Sequence, residues 1–236
     1  MTKRNDNDLV IGGFLPVTTV DFPDRLASVV FCQGCMWRCS YCHNVDLQSL
    51  SSEKTILWRE VFAKIQARKR LIEAVVFSGG EPLMQPAVEE AIEQVKSLGL
   101  KVGLHTNGVQ FETFKTVLPM LDWIGIDIKT RFSDYQKITC RFGSGETVKK
   151  SLSLLIASGI AYETRTTISP EVHTVNDILS MAEEIAEMGV KTFALQAYRA
   201  VCDKQRQLEF KNIPFFLREV TEKLDSLFEH FISRHL

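Results

Sequence analysis

The fold turns on the stretch Cys32-Gln33-Gly34-Cys35-Met36-Trp37-Arg38-Cys39-Ser40-Tyr41-Cys42-His43-Asn44, which holds four of the six cysteines in the chain. Cys35, Cys39 and Cys42 follow the spacing C-x3-C-x2-C. A zinc ribbon needs two C-x2-C knuckles separated by a loop of about fifteen residues or more, which this spacing does not provide. Disulfides suit an oxidising compartment, and the N-terminus carries no secretory pattern. Beside chance clustering, iron-sulfur ligation is the reading that remains. Four thiolates would close a four-iron four-sulfur cluster for electron transfer, whereas three leave one iron open to another ligand.

Working outward, Leu26 to Cys32 is a nearly continuous apolar run, as expected of a strand covered on both faces, so the cysteine loop springs from a strand's C-terminal end. The lead-in from Leu9 to Asp24, with Gly12-Gly13 and Asp21-Phe22-Pro23-Asp24, reads as irregular or hairpin-like. Residues 1–10 read as a disordered N-terminus and 11–236 as a single domain. The charged fraction of 24%, the hydrophobic fraction of 45% and a net charge of -1 are ordinary for a globular chain. They argue against a nucleic-acid partner bound through many phosphates. No run of about eighteen apolar residues appears, so no membrane span or membrane partner is expected, and the expected location is the cytoplasm.

Downstream the pattern alternates. The spacing predicts helices over 56–70, 86–98, 111–118, 146–157 and 176–188, the last with Asn176 as N-cap. Between them, apolar runs predict strands at 74–78, 101–105, 123–129, 161–168 and 191–197. A final amphipathic helix is expected over 213–232, with Phe216, Val220, Leu224, Leu227 and Phe231 on its apolar side. Six strand-helix units with the Gly79-Gly80-Glu81-Pro82 and Thr106-Asn107-Gly108 turns at strand C-termini predict an α/β fold, a partial (β/α)6 barrel with its site on that face.

The cysteine loop with Tyr41, the Gly79-Gly80-Glu81-Pro82 turn and the six-unit pattern together resemble the radical S-adenosylmethionine superfamily. Within it, Gln33-Gly34-Cys35, Tyr41-Cys42-His43-Asn44, Thr106-Asn107-Gly108 and Asp127-Ile128-Lys129 resemble the activating enzymes of glycyl-radical enzymes. Gly12-Gly13-Phe14 and Asp21-Phe22-Pro23 resemble the activating protein of anaerobic ribonucleoside-triphosphate reductase.

The resemblance implies a 4Fe-4S cluster on Cys35, Cys39 and Cys42, with S-adenosyl-L-methionine chelating the fourth iron. It implies reductive cleavage to a 5'-deoxyadenosyl radical and abstraction of a glycine Cα hydrogen from a glycyl-radical enzyme, an anaerobic ribonucleotide reductase. It counts Tyr41, His43, Gly79, Gly80, Glu81, Pro82, Thr106, Asn107, Asp127, Lys129, Arg165 and Arg199 among the cofactor-binding residues. With no second cysteine cluster in the sequence, electrons are expected from an external donor such as flavodoxin. For the glycines an ordinary turn, and for Lys129 and Arg165 an internal ion pair, are the competing readings. A small molecule or another peptide is the alternative substrate. A four-cysteine electron carrier that recruits Cys32 is the alternative of a different class.

Three positions depart from the family pattern. His105 stands where formate-lyase activating enzymes carry an aspartate, so no monovalent-cation site is expected. Tyr198-Arg199 stands in the neighbourhood of an adenine-stacking histidine, and Asp24 stands where related sequences carry glycine. Cys140 and Cys202 have no partner by spacing.

Overall fold

The computed structural model describes residues 8–50, 55–198, 211 and 213–234. The chain forms two compact units, one from Met1–Met36 and Asn44–Gly125, the other from Trp37–His43 and Ile126–Leu236. Arg199 and Cys202 lie outside the described residues.

In the first unit the strands β1 (Val10–Thr18), β2 (Ala27–Cys32), β3 (Ile56–Leu57), β4 (Ala74–Gly79) and β5 (Lys101–Thr106) pair in the order β3-β1-β2-β4-β5. β2, β4 and β5 are parallel, and β1 runs antiparallel to both its neighbours. Parallel strands need crossover connections, and these are α1 (Trp58–Arg68) and α2 (Val88–Ser97). The residues of β2 and β4 are mostly apolar because both faces are covered: Ala27, Val29, Ala74 and Val76 pack with Phe22 and Trp123 in one core cluster. The expected hairpin-like lead-in is β1, which begins at Val10 and shows register shifts between Ile11 and Gly13 and between Leu15 and Thr18. Asp24 has φ 58°, in the left-handed region that favours glycine and that aspartate tolerates. α3 (Phe111–Val117) follows β5, and at β6 (Trp123–Asp127) the chain passes into the second unit.

The second unit contains α4 (Tyr135–Thr139), α5 (Ser144–Ser158), β7 (Tyr162–Ile168), α6 (Val175–Glu187), β8 (Thr192–Ala197), α7 (Arg218–Asp225) and β9 (His230–Arg234). β7, β8 and β9 are parallel neighbours. The six strands expected from the apolar runs are β2 and β4 to β8.

Two expectations need correction. α6 is capped by Thr174 and not by Asn176: the Thr174 hydroxyl accepts from Asp177 N–H at 3.2 Å, and the Asp177 carboxylate accepts from Thr174 N–H at 2.9 Å. The helix expected over 213–232 breaks into a 3-10 turn at Ile213–Phe216, the eight-residue α7 and the strand β9. In the turn it is Phe215, not Phe216, that is buried, while Val220 and Leu224 of α7 are buried as expected. The chain changes period because strand pairing offers the aromatic residues better partners. Phe231 pairs with Phe193 in register, the Phe228 ring lies 5.0 Å from that of Phe193, and Arg234 forks onto Glu163 at 2.7 and 2.8 Å.

Candidate active site

In the first unit, the residues just past β2, β4 and β5 converge. Gly79 has φ 113° and pairs with Cys32 across β2 and β4. A Cβ at Gly79 would collide with the Cys32 main chain, and one at Gly80 with the Gly34 carbonyl. Both glycines are therefore required by the close approach of the chain to itself. Gly80 N–H donates to Cys32 O (2.9 Å) and Glu81 N–H to Gly34 O (2.8 Å), which ties the turn to the start of the cysteine loop. Gly34 N–H and Cys35 N–H in turn donate to Leu47 O (2.7 Å) and Gln48 O (3.2 Å). Asn44, at the far end of the loop, donates to Gly79 O at 3.2 Å.

Glu81 is 0% exposed. Its carboxylate accepts from Leu83 N–H (3.1 Å), the Thr106 hydroxyl (2.8 Å) and Asn107 N–H (2.8 Å). Pro82 opens the short 3-10 turn that follows, where its missing N–H costs nothing. Thr106 Oγ1 accepts from Gly108 N–H, Asn107 Oδ1 accepts from Val109 N–H, and Asn107 Nδ2 points at Cys35 Sγ from 3.9 Å. Glu81 thus fastens the two turns that the sequence singles out. Beside them, His105 contacts Ser78 Oγ through Nδ1 (3.3 Å) and Asp21 O through Nε2 (3.0 Å), an imidazole fixed at both nitrogens. Cys32, fully buried at the end of β2, has its thiol pushed up by burial and by the Glu81 carboxylate, which disfavours the thiolate.

In the second unit, Asp127 closes β6 and its carboxylate meets Lys129 Nζ at 3.3 Å and Arg165 at 3.0 and 3.1 Å. Asp127 and Lys129, two positions apart, meet on one side, and the ladder extends one residue past the strand through Ile128 N–H to Arg165 O (2.8 Å). The competing ion-pair reading of Lys129 and Arg165 is thus seen directly. Burial acts to lower the Lys129 pKa, but Asp127 and the nearby tyrosines and Cys39 outweigh it and hold the ammonium above its ordinary range. Lys129 Nζ also stands 5.9 Å from the Tyr41 ring centroid.

Tyr41 is 5% exposed and its hydroxyl has no hydrogen-bond partner among the described residues. Burial pushes this phenol up and keeps it protonated. Its ring lies edge-on to His173 (5.5 Å) and to Tyr198 (6.5 Å), and His43 stacks on Tyr198 at 4.7 Å with the planes 5° apart. Cys42 N–H donates to Cys39 O at 3.2 Å, so these two cysteines share one turn. Burial pushes the Cys39 thiol up, opposed by Lys129.

Sequence reasoning did not single out His173. Nδ1 accepts from Ser169 N–H (3.0 Å) and Nε2–H therefore donates to Lys129 O (2.8 Å), which pins the main chain at Lys129.

Cys32, Cys35, Cys39, Cys42 and Cys140 form no disulfide. Among the described residues no three His, Cys, Asp or Glu side chains converge as metal ligands. No helix among them is long and apolar enough to cross a membrane.

Comparison with known proteins fits these features into a family. The chain is 29% identical over 232 residues to a putative glycyl-radical enzyme activating enzyme of Methanocaldococcus jannaschii, covering 95% of this chain and 93% of that protein. It is 33% identical over 132 residues to the pyruvate formate-lyase-activating enzyme of Clostridium pasteurianum, covering 54% of each. Streptococcus suis SuiB bound to S-adenosylmethionine superposes with a TM-score of 0.61 at 14% identity, over 86% of this chain and 48% of SuiB. That likeness shows the fold, an α/β architecture of mostly parallel strands of the partial-barrel type. Since the Radical SAM superfamily model matches residues 29–185, well over half of the chain, the protein belongs to that superfamily, whose enzymes pair S-adenosylmethionine with an iron-sulfur cluster.

Proposed function

We propose that the chain activates a glycyl-radical enzyme, an anaerobic ribonucleotide reductase, by abstracting a hydrogen from the Cα of one glycine. The observation that carries this reading is the similarity that runs along 93% of a relative named as a putative activating enzyme of that kind, beyond the shared core. The lead-in residues Gly12-Gly13-Phe14 and Asp21-Phe22-Pro23 carry the choice of reductase as partner.

Cys35, Cys39 and Cys42 would hold a 4Fe-4S cluster. The donor set suits it: three cysteines outside any disulfide, at the C-x3-C-x2-C spacing. The cluster and S-adenosylmethionine would supply a one-electron cleavage that yields a 5'-deoxyadenosyl radical.

The chain's own residues bind, orient and shield. Lys129 and Arg165, held together by the Asp127 carboxylate, would orient a carboxylate- and hydroxyl-bearing ligand at the end of β6. The Tyr41 hydroxyl, buried without a partner, gains one when a polar group enters, and the His43 and Tyr198 rings offer a flat surface to a base. Gly79 and Gly80 position the turn that presents main-chain groups. Cys32, buried and held neutral, stays out of the ligand set, which disfavours the four-thiolate carrier. The electron comes from an external one-electron donor such as flavodoxin.

Anaerobic reconstitution, reduction with dithionite and chromatography test the chemistry: 5'-deoxyadenosine should form, and Cys32→Ala should keep the cluster while Cys39→Ala loses it. Mixing the reduced enzyme with candidate reductases and lyases should then produce a glycyl radical signal by electron paramagnetic resonance with the reductase. Cofactor cleavage with silence from every protein would move the substrate to a small molecule or another peptide.

A further inference from the structure

Asn107 sits in a motif that resemblance assigns to the cofactor, yet its geometry in the first unit directs it elsewhere. The residue is buried, 7% exposed, and its main-chain N–H is bound by Glu81. Its Oδ1 accepts from Val109 N–H at 3.0 Å, and since an N–H can only be answered by the oxygen, the orientation of the amide is fixed. The NH2 end is thereby aimed at Cys35 Sγ, 3.9 Å away. Glu81, clasping both Thr106 and Asn107 while its own main chain is bonded to Gly34, keeps that arm in register with the residue next to Cys35.

We infer that Asn107 donates a hydrogen bond to the sulfur of Cys35 and thereby raises the reduction potential of the cluster, with Glu81 as the positioning residue. The inference rests on the reading of Cys35 as a cluster ligand. An N–H that points at a ligating sulfur draws electron density from it and favours the reduced, more negative cluster, most strongly where the site is dry. The benefit is a larger reduced fraction from a weak physiological donor before cofactor binds.

The test is a potentiometric titration of the reconstituted enzyme without S-adenosylmethionine, followed by electron paramagnetic resonance, comparing wild type with Asn107→Leu, which keeps the volume and removes the donor. At fixed potential the ratio of reduced to oxidised cluster should fall about tenfold, equivalent to ~59 mV for a one-electron couple. Glu81→Gln should shift it in the same direction by less. Wild-type enzyme labelled with nitrogen-15 in asparagine alone should show a nitrogen hyperfine coupling to the reduced cluster, a readout that stands even where Asn107→Leu fails to fold. An intact cluster with unchanged potential in Asn107→Leu, or no coupling in the labelled wild type, overturns the inference and leaves the proposed function in place. Weaker S-adenosylmethionine binding at unchanged potential overturns it too and returns Asn107 to the cofactor. A wild-type chain that takes up no cluster overturns both readings.

Discussion

The two units each carry one carboxylate at the C-terminal end of a strand segment, and the two are used in opposite ways. Glu81 in the first unit is fully buried and accepts from a hydroxyl and two main-chain N–H groups. Asp127 in the second has a side chain 31% exposed and is gripped by two long cations. Short neutral donors around a buried anion make a rigid joint between two turns. Long cations around a partly exposed one make a charged rim at the end of β6. Membership of a motif therefore does not by itself make a residue a ligand contact: the glutamate of Gly79-Gly80-Glu81-Pro82 is used up by donors of the protein itself, whereas Asp127 keeps a partly exposed side chain between Lys129 and Arg165.

The sharpest way to break this comparison is Glu81→Ala. It leaves three buried donors without an acceptor, each costing about 1–3 kcal/mol, so the loss should exceed about 3 kcal/mol. For a chain of this size that lowers Tm by roughly 6–12 °C, at about 2–4 °C per kcal/mol, measurable by thermal or urea unfolding. A loss below about 1 kcal/mol would show that the two turns are held some other way, and the contrast with Asp127 would collapse.

A smaller effect is expected at the rim. Arg165→Lys keeps the charge but removes the fork that grips Asp127 Oδ1 through Nε and Nη2. Calorimetric binding of S-adenosylmethionine to the cluster-loaded enzyme should weaken about tenfold, or ~1.4 kcal/mol, with Tm little changed. Unchanged affinity would place Arg165 with Glu81 on the architectural side.

Much of this was legible in the sequence because buried parallel strands read as apolar runs and their ends as turn chemistry; β2, β4 to β8 and the turns at Gly79 and Thr106 were found that way. β9 was not, because Val220, Leu224, Leu227 and Phe231 satisfy a helical spacing that only the pairing with β8 overrides. The cap of α6 is legible as Thr174-x-x-Asp177, but Asn176 nearby is an equally good cap residue by type alone. The links that build the site had no local signal: Asn107 meets Cys35 at a separation of 72 residues, and His173 meets Lys129 at 44. A lone histidine in a polar turn looks the same whether or not a distant carbonyl awaits it.

That histidine sets the last and smallest test. Burial holds the His173 pKa below its ordinary value, opposed by the hydrogen bond to the Lys129 carbonyl and by Asp177. The neutral ring accepts from Ser169 N–H, and a protonated one cannot, because both nitrogens then carry hydrogen. A group with a depressed folded pKa contributes stability that is complete above the unfolded value, about 6.5 for histidine, and is lost as pH falls from there through the folded value. His173→Gln should cost about 1 kcal/mol at pH 7.5 through the bonds it weakens. The gap between wild type and variant in urea unfolding should narrow by pH 5, where the wild type has lost its advantage. A gap that is constant with pH would mean that the imidazole clamp on Lys129 does not depend on its charge state.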